Sequence, residues 1–412
     1  VKVLIVSQYF WPESFRINEI VHSLVEKGLE VDVLTGKPNY PEGDIFSGYQ
    51  VGGCQIESWS GATLYRVPLF PRGKFSRWRL ALNYLSFIFS GLLFGTWMLR
   101  KRKYDAVFVY GLSPILLAIP AIFLSRLKRC RLVIWVQDLW PDSLSATGYV
   151  KGRHLLRVVE SVVRWIYRKA DLLLVQSRAF EAPVSAMAPG KLIAYYPNSV
   201  DAMFCAPQSA DVVLPDIPAL DDGFSVLFAG NVGSAQGVEV IVEAATLLRH
   251  IPEIRFVVLG QGSCWEWMRE QVAARGLTNL DLPGRFPVDT MPGLMQKADV
   301  LLVTLTDQPI FALTVPNKVQ AYMASGRPIL ACLNGEGARL VSEAQAGFGV
   351  PAENAQALAE AVLKLYQMPE DARARLGANG QRYFREHFNH DRLVDQLIEY
   401  LKNTPSTQRG NV

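Results

Sequence analysis

The sequence predicts an α/β protein built as two parallel-sheet halves in tandem, and three observations carry that expectation. Apolar runs of strand length alternate with runs at helical spacing from the first residues onward. The alternation breaks at a Pro- and Asp-rich stretch over residues 207–222 and then starts again. A chain of 412 residues also exceeds what one hydrophobic core ordinarily organises, and it suits two domains of about 200 residues each.

The elements follow in order. Residues 2–7 read as the opening strand, and Ile17, Ile20, Val21, Leu24 and Val25 recur at helical spacing until Gly28 stops the helix. Strands are expected over 31–35, 106–110 and 132–136. After Pro197-Asn198-Ser199-Val200-Asp201 and the linker, the second series places strands over 225–229, 255–259, 300–304 and 329–331. A helix over 393–401 is expected to pack back across the domains, with a frayed tail from Asn403. The expected domains are therefore 1–200, 201–380 and a closing segment 381–412. Ligands of open α/β sheets bind outside the carboxyl ends of the strands, so the two halves are expected to face a central cleft.

Composition excludes several classes. A net charge of +4 without an RNA- or DNA-binding signature argues against a nucleic-acid partner. Cys54, Cys130, Cys205, Cys264 and Cys332 are scattered and never form a CxxC pair, which fits reduced thiols rather than a disulfide framework or a zinc site. His387 and His390 have metal-like spacing but stand alone in a charged segment, so no metal site is expected. The chain opens on a strand without a signal-peptide pattern, which points to a cytoplasmic location.

Half of the residues are hydrophobic and 19% are charged, so some surface is expected to meet lipid. Residues 80–99 carry no charge, and no acid occurs between Arg66 and Tyr104. Arg72, Lys74, Arg77 and Arg79 precede the apolar run, and Arg100-Lys101-Arg102-Lys103 follow it. Basic clusters at both ends disfavour a span. The preferred reading is a helix lying on the cytoplasmic leaflet through the 72–104 segment; a core helix is the alternative.

The most informative segment is residues 311–330. Pro316 stands where a helix can begin, Val319, Tyr322 and Met323 recur at helical spacing, and Ser325-Gly326-Arg327-Pro328 ends the helix before a buried strand. A helix start suits a phosphate, and Lys318 adds a charge there. A second glycine loop, 228–237, follows the first strand of the second half, and Gly260-Gln261-Gly262 follows the next. Two anion sites in one domain fit a diphosphate. The dinucleotide fingerprint and the Walker A sequence are both absent.

These motifs, in this order, resemble the retaining glycosyltransferases of family 4, which have the GT-B fold of two Rossmann-like domains. The resemblance rests on 7–28, Tyr196-Pro197-Asn198-Ser199-Val200-Asp201, 229–244, 258–262, Pro283-Gly284-Arg285 and 316–329. Within the family the chain is similar to bacterial O-antigen and capsule L-fucosamine transferases, through Phe10-Trp11-Pro12-Glu13, Pro38-Asn39-Tyr40-Pro41-Glu42-Gly43, Asp138-Leu139-Trp140-Pro141-Asp142 and Val315-Pro316-Asn317-Lys318. It departs where the family carries an Arg and a Lys in its glycine loop (here Asn231 and Gln236), and where it carries two glutamates (here Ala312 and Gln320).

The resemblance implies transfer of a sugar, with N-acetyl-L-fucosamine the leading guess, from a UDP-sugar to a polyprenyl-diphosphate-linked acceptor, without a required metal or cofactor. It implies donor contacts at Gly230, Asn231, Gly233, Gln236, Gly260, Gly262, Arg285, Thr314, Val315, Pro316, Asn317 and Gln320. Backbone N–H groups around 230–233 and 314–317, with Lys318 and Arg16, are assigned to the leaving diphosphate. Asp138, and after it Glu13, are assigned to orienting a sugar. The alternatives are an inactive membrane-bound scaffold of a polysaccharide assembly complex and a nucleotide-sugar 2-epimerase of the same fold.

Overall fold

The computed structural model describes residues 1–73, 77–146, 152–200, 202–204 and 212–402. Lys74, Asp201, Cys205, residues 207–211 of the expected linker and the tail from Asn403 lie outside them. Two compact units result, one made of Val1–Pro197 with the chain from Asp391, the other of Asn198–His390.

The first unit holds β1 (Lys2–Val6), β2 (Glu30–Thr35), β3 (Gln55–Trp59), β4 (Ala62–Arg66), β5 (Ala106–Gly111), β6 (Arg131–Val136), β7 (Leu172–Val175) and β8 (Ile193–Tyr195). They form one sheet in the order β3-β4-β2-β1-β5-β6-β7-β8. Every pair is parallel except the β3–β4 hairpin, whose two-residue turn puts both Ser60 and Gly61 at positive φ. One sheet face is covered by the helices Arg16–Glu26 and His390–Lys402, whose Ile17, Ile20, Leu393 and Leu397 share a core with Val3, Ile5 and Val33. The other face meets a helical segment that runs as Arg77–Ser90, a π-helical turn Gly91–Gly95, and Thr96–Met98. Gly95 sits where an added Cβ would lie 3.0 Å from Leu34.

The second unit holds β9 (Phe224–Ala229), β10 (Ile254–Leu259), β11 (Leu280–Gly284), β12 (Val300–Thr304), β13 (Ile329–Cys332) and β14 (Gly347–Val350). Their order is β11-β10-β9-β12-β13-β14, parallel throughout, with a hydrophobic core on each face. The four central strands β10, β9, β12 and β13 are buried on both sides, which is why they read in the sequence as nearly continuous apolar runs, while the edge strands β11 and β14 are partly exposed.

Two boundaries differ from the expectation. The helix Glu370–His387 belongs whole to the second unit, so a break at 381 would cut it. Gly377 lets that helix close on the preceding core, because a Cβ there would sit 2.0 Å from the Gly326 carbonyl oxygen. The expected linker also ends early: Pro218–Asp221 is a short helix whose Ala219 and Leu220 are buried in the second unit's core.

Candidate functional site

In the second unit the carboxyl ends of β9 and β10 and the start of the helix Asn317–Ser325 come together. Pro316 precedes that helix with φ −63°, and the helix runs nine residues to Gly326. The Tyr322 hydroxyl ties it to β9, accepting from the Ala229 N–H (3.0 Å) and donating to the Ala229 carbonyl (3.3 Å). Tyr322, a spacing marker in the sequence, uses its hydroxyl to fix the body of this helix against the strand end.

Lys318 lies against this strand end. Its stem is partly exposed, but its Nζ is buried, 3.5 Å from the centre of the Phe228 ring, and has no hydrogen-bond partner. Gly230 makes the room, since a Cβ there would meet the Lys318 Cε at 2.6 Å. Burial without a counter-charge pushes the Lys318 ammonium down to about 7. Gln320 is fully buried two residues on, and both of its amide atoms lack a partner. A buried ammonium and a buried amide left unpaired are costly, and a polar ligand that reached them would remove that cost. The N–H groups of Asn317 and Lys318 stand in the first helical turn, where a helix supplies no internal acceptor.

The glycine loop corrects the expectation. Its N–H groups, expected to face the ligand, are largely used inside the fold. Gly230 donates to the Leu259 carbonyl (2.8 Å), Val232 to that of Gln261 (3.0 Å), and Gly233 to the Gln236 side chain (3.2 Å). Gly260 donates to the Gly284 carbonyl (2.8 Å). Asn231 and Gln236 bond each other through Nδ2 and Oε1 at 3.2 Å, so the two residues standing for the family's cations close the loop instead. Gly260 and Gly262 serve a close approach of backbone to backbone: a Cβ at Gly260 would lie 1.8 Å from the Gly230 carbonyl oxygen, and one at Gly262 would lie 2.3 Å from that of Val232. The N–H of Thr314 bonds the Phe311 carbonyl and its hydroxyl that of Ile310 (2.9 Å), while Val315 is a core residue. Asn317 accepts from Asn198 at 3.2 Å. Arg285 is exposed just after Gly284, the last residue of β11, the strand next to β10.

In the first unit, Asp138 follows β6. Burial raises its pKa, partly offset by hydrogen bonds from the Ser113 side chain and backbone, and the Ser113 hydroxyl is itself held by the Trp140 Nε1 at 2.7 Å. The fully buried Tyr167 lies near enough to feel the Asp138 charge, and its hydroxyl has no partner. Arg16 opens its helix with one guanidinium nitrogen, Nη1, buried and unpartnered. Glu13 has a different task from the sugar contact assigned to it. Its Oε1 accepts from the N–H groups of Asn39 (2.8 Å) and Tyr40 (2.7 Å), and its Oε2 from that of Phe10 (3.1 Å). Burial lifts its pKa to about 7 against the pull of these three donors. It clamps the loops after β1 and β2.

Asn83 is the one amide within the apolar run 80–99. It is fully buried, accepts from Gln8 Nε2 (2.7 Å) and donates to the Phe70 carbonyl (2.7 Å) and to Asn39 Oδ1 (3.2 Å). It thereby ties the 77–98 segment to the loops after β1 and β2. The signal was available: a single amide on the side of the helix opposite Leu82, Leu85 and Phe89.

Two family models match the chain: a "Glycosyl transferase 4-like domain" over residues 14–198 and "Glycosyl transferases group 1" over 223–368. The chain is 26% identical to WcaI of Escherichia coli K12, a protein named as a colanic acid biosynthesis glycosyl transferase, over 79% of this chain and 81% of that one. It is 27% identical to the glycosyltransferase named WbjE of Pseudomonas aeruginosa, over 73% and 75%. Among solved structures, sucrose-phosphate synthase from Thermosynechococcus elongatus superposes with a TM-score of 0.72 at 18% identity, covering 97% of this chain and 98% of that one. Anabaena Alr3699/HepE, solved with UDP, superposes with a TM-score of 0.67 at 14% identity, covering 97% and 99%. The fold is that of the GT-B glycosyltransferases, and the chain carries two glycosyltransferase domains.

Proposed function

From the premise that a glycosyl transferase 4-like domain and a group 1 glycosyl transferase domain follow one another in this chain, we propose that it moves a sugar from a UDP-sugar to a lipid-linked acceptor, with retained anomeric configuration, in the assembly of a bacterial surface polysaccharide. The observation that carries this reading is the buried, unpartnered Lys318 Nζ at a helix start, with unpaired Gln320 behind it. A diphosphate is the ligand this pair suits. In the proposed reaction the bond from the anomeric carbon to the β-phosphate oxygen breaks, and the acceptor oxygen bonds the same face. The acceptor's hydroxyl proton passes to the departing phosphate. Lys318 and the first-turn N–H groups take the charge that builds on the diphosphate, and this is where a fixed cation accelerates the step. Arg16 is the second proposed cation, and Asp138, held by Ser113, the group that orients a sugar hydroxyl.

The finer assignments rest on resemblance: UDP as the nucleotide, N-acetyl-L-fucosamine as the sugar, a polyprenyl diphosphate on the acceptor, and no required metal. The likeness to proteins named for colanic acid biosynthesis supports the polysaccharide setting. The proposed place of work is the cytoplasmic face of the plasma membrane, reached through the 72–104 segment. Trp78–Met98 is long and apolar enough to cross a bilayer by length and composition, but basic residues at both ends favour a peripheral position.

Calorimetric titration with UDP, GDP and UDP-N-acetylhexosamines, repeated with Lys318→Ala, tests the reading. Selective UDP binding that weakens in the variant supports it. Folded protein that binds no nucleotide would transfer the weight to the scaffold reading, which the mutual pairing of Asn231 and Gln236 favours.

A further inference from the structure

We propose that the membrane-facing surface is three helices wide, the 77–98 segment being joined by the helices Ala118–Lys128 and Arg153–Lys169, and that its partner is an anionic bilayer leaflet. This rests on the peripheral-membrane reading above and extends it to residues that the apolar run does not contain.

The 77–98 segment turns one face outward. Trp78, Phe89, Leu93 and Trp97 are exposed by 83%, 74%, 67% and 60%, and Leu82 and Leu85 lie between them at helical spacing. Its inner face carries the buried Asn83, Phe87, Gly91 and Gly95. The helix Ala118–Lys128 packs directly against it. A Cβ on Gly91 would meet the Pro120 ring at 3.0 Å, and Lys128 Nζ donates to the carbonyls of Leu99 (2.7 Å) and Arg100 (3.0 Å). That helix leaves Phe123 and Leu127 exposed. It packs in turn against Arg153–Lys169, which leaves Leu155, Val158 and Trp165 exposed.

The helices on the other sheet face provide an internal contrast. Among the described residues, neither Arg16–Glu26 nor His390–Lys402 contributes an exposed large apolar side chain. Water thus meets apolar side chains on one helical layer and polar ones on the other, and a patch of this breadth marks an interaction surface.

Charge selects the partner. No acid occurs between Arg66 and Tyr104 or in Ala118–Lys128, and the single acid of Arg153–Lys169, Glu160, is bonded to Arg164 at 2.6 Å. Arg79, Arg100, Lys101, Arg126, Arg129 and Arg157 are exposed on these segments. Long basic side chains around an apolar face suit anionic headgroups above acyl chains. A second copy of the chain would bring like charges together. A three-helix face also sets the orientation, holding the helical layer against the leaflet with the sheet behind it.

Cosedimentation of the full chain with vesicles tests this, using phosphatidylcholine alone or mixed with phosphatidylglycerol, for wild type and three double variants: Phe89→Asp/Trp97→Asp, Phe123→Asp/Leu127→Asp and Val158→Asp/Trp165→Asp. All six positions are exposed, and circular dichroism checks that each variant folds. The expected result is salt-sensitive binding to anionic vesicles, weakened at least about tenfold by each double variant. If only the first variant loses binding, the three-helix surface is wrong and the single-helix reading stands. If wild type ignores anionic vesicles, the membrane reading itself fails. A concentration-dependent dimer that the same variants dissolve would overturn the lipid partner in favour of self-association.

Discussion

Lys318 offers a prediction that separates a phosphate-binding lysine from an ordinary buried one. In the free protein its ammonium is buried over the Phe228 ring without a counter-charge and titrates near 7 instead of 10.5. That displacement corresponds to about 5 kcal/mol against the charged form at most. A diphosphate in the pocket favours the charged form, so binding at neutral pH is expected to draw a proton from solution, about half a proton at pH 7 and nearly one at pH 8. UDP affinity then falls as pH rises above 7, by up to about tenfold per unit until the bound-state pKa is reached. Calorimetry in buffers of different ionisation enthalpy reads the uptake directly. Lys318→Met keeps the stem and removes the ammonium, so it is expected to lose UDP affinity, the uptake and the pH dependence together.

The stability of the free protein moves the other way. The unfolded chain keeps Lys318 protonated between about pH 7 and 10.5 while the folded state does not, so the wild type loses stability as pH falls through that window. The Met variant is therefore expected to be more stable than wild type at pH 7 and lower, with the difference shrinking toward pH 10.5. Tight UDP binding with no buffer dependence at pH 7 and 8 would refute the reasoning, because it would mean that the ammonium is already charged in the free protein or does not meet the ligand.

Three further outcomes follow from the geometry. Glu13→Gln exchanges a carboxylate oxygen for an amide donor facing a backbone N–H and is expected to cost about 1–3 kcal/mol in urea unfolding; wild-type stability should fall as pH rises from about 4.5 to 7, where the folded state still holds the Glu13 proton, and the variant should lack that slope. Asn83→Ala strips the partner from Gln8 and Phe70 and is expected to cost about 2–3 kcal/mol, whereas Phe89→Ala on the exposed face should stay within about 0.5 kcal/mol by the same assay. Gly260→Ala puts a Cβ 1.8 Å from the Gly230 carbonyl oxygen at φ +146°, so both thermal stability and UDP binding should drop; unchanged binding would detach the β9 and β10 loops from the site.

How much was legible in the chain depended on what decided each feature. β1, β5, β6, β9, β10, β12 and β13 were readable because strands buried on both faces are almost wholly apolar, and β2 because Val31, Val33 and Leu34 outweigh the buried Asp32. The β3–β4 pair was missed because its outer strand is half exposed and reads Gln-Ile-Glu-Ser-Trp. β8 has three half-buried residues and shows no period, Pro283 hides β11, and two glycines hide β14, whereas β7 carries the same four-residue apolar signal as β13. The exposed Leu155, Val158 and Trp165 are interspersed with Arg157, Glu160 and Arg164 in an amphipathic helix and lie outside any long apolar run, so no uncharged window of sequence marked them.

The sequence by itself determined the α/β class, the two halves, the helix start at Pro316 with Lys318 in its first turn, and the acid-free apolar segment, because each is written in local pattern: period, breaker residues and charge. Only the tertiary structure decided which polar groups are free. Gly230, Val232 and Gly233 have N–H groups that look available in the chain and are taken by Leu259, Gln261 and Gln236 in the fold. Lys318 and Gln320 are placed by the chain at a helix start, but only the fold shows that both are left without partners inside. Whether a donor or a charge is satisfied depends on residues brought close from elsewhere in the chain, and that proximity is what folding creates.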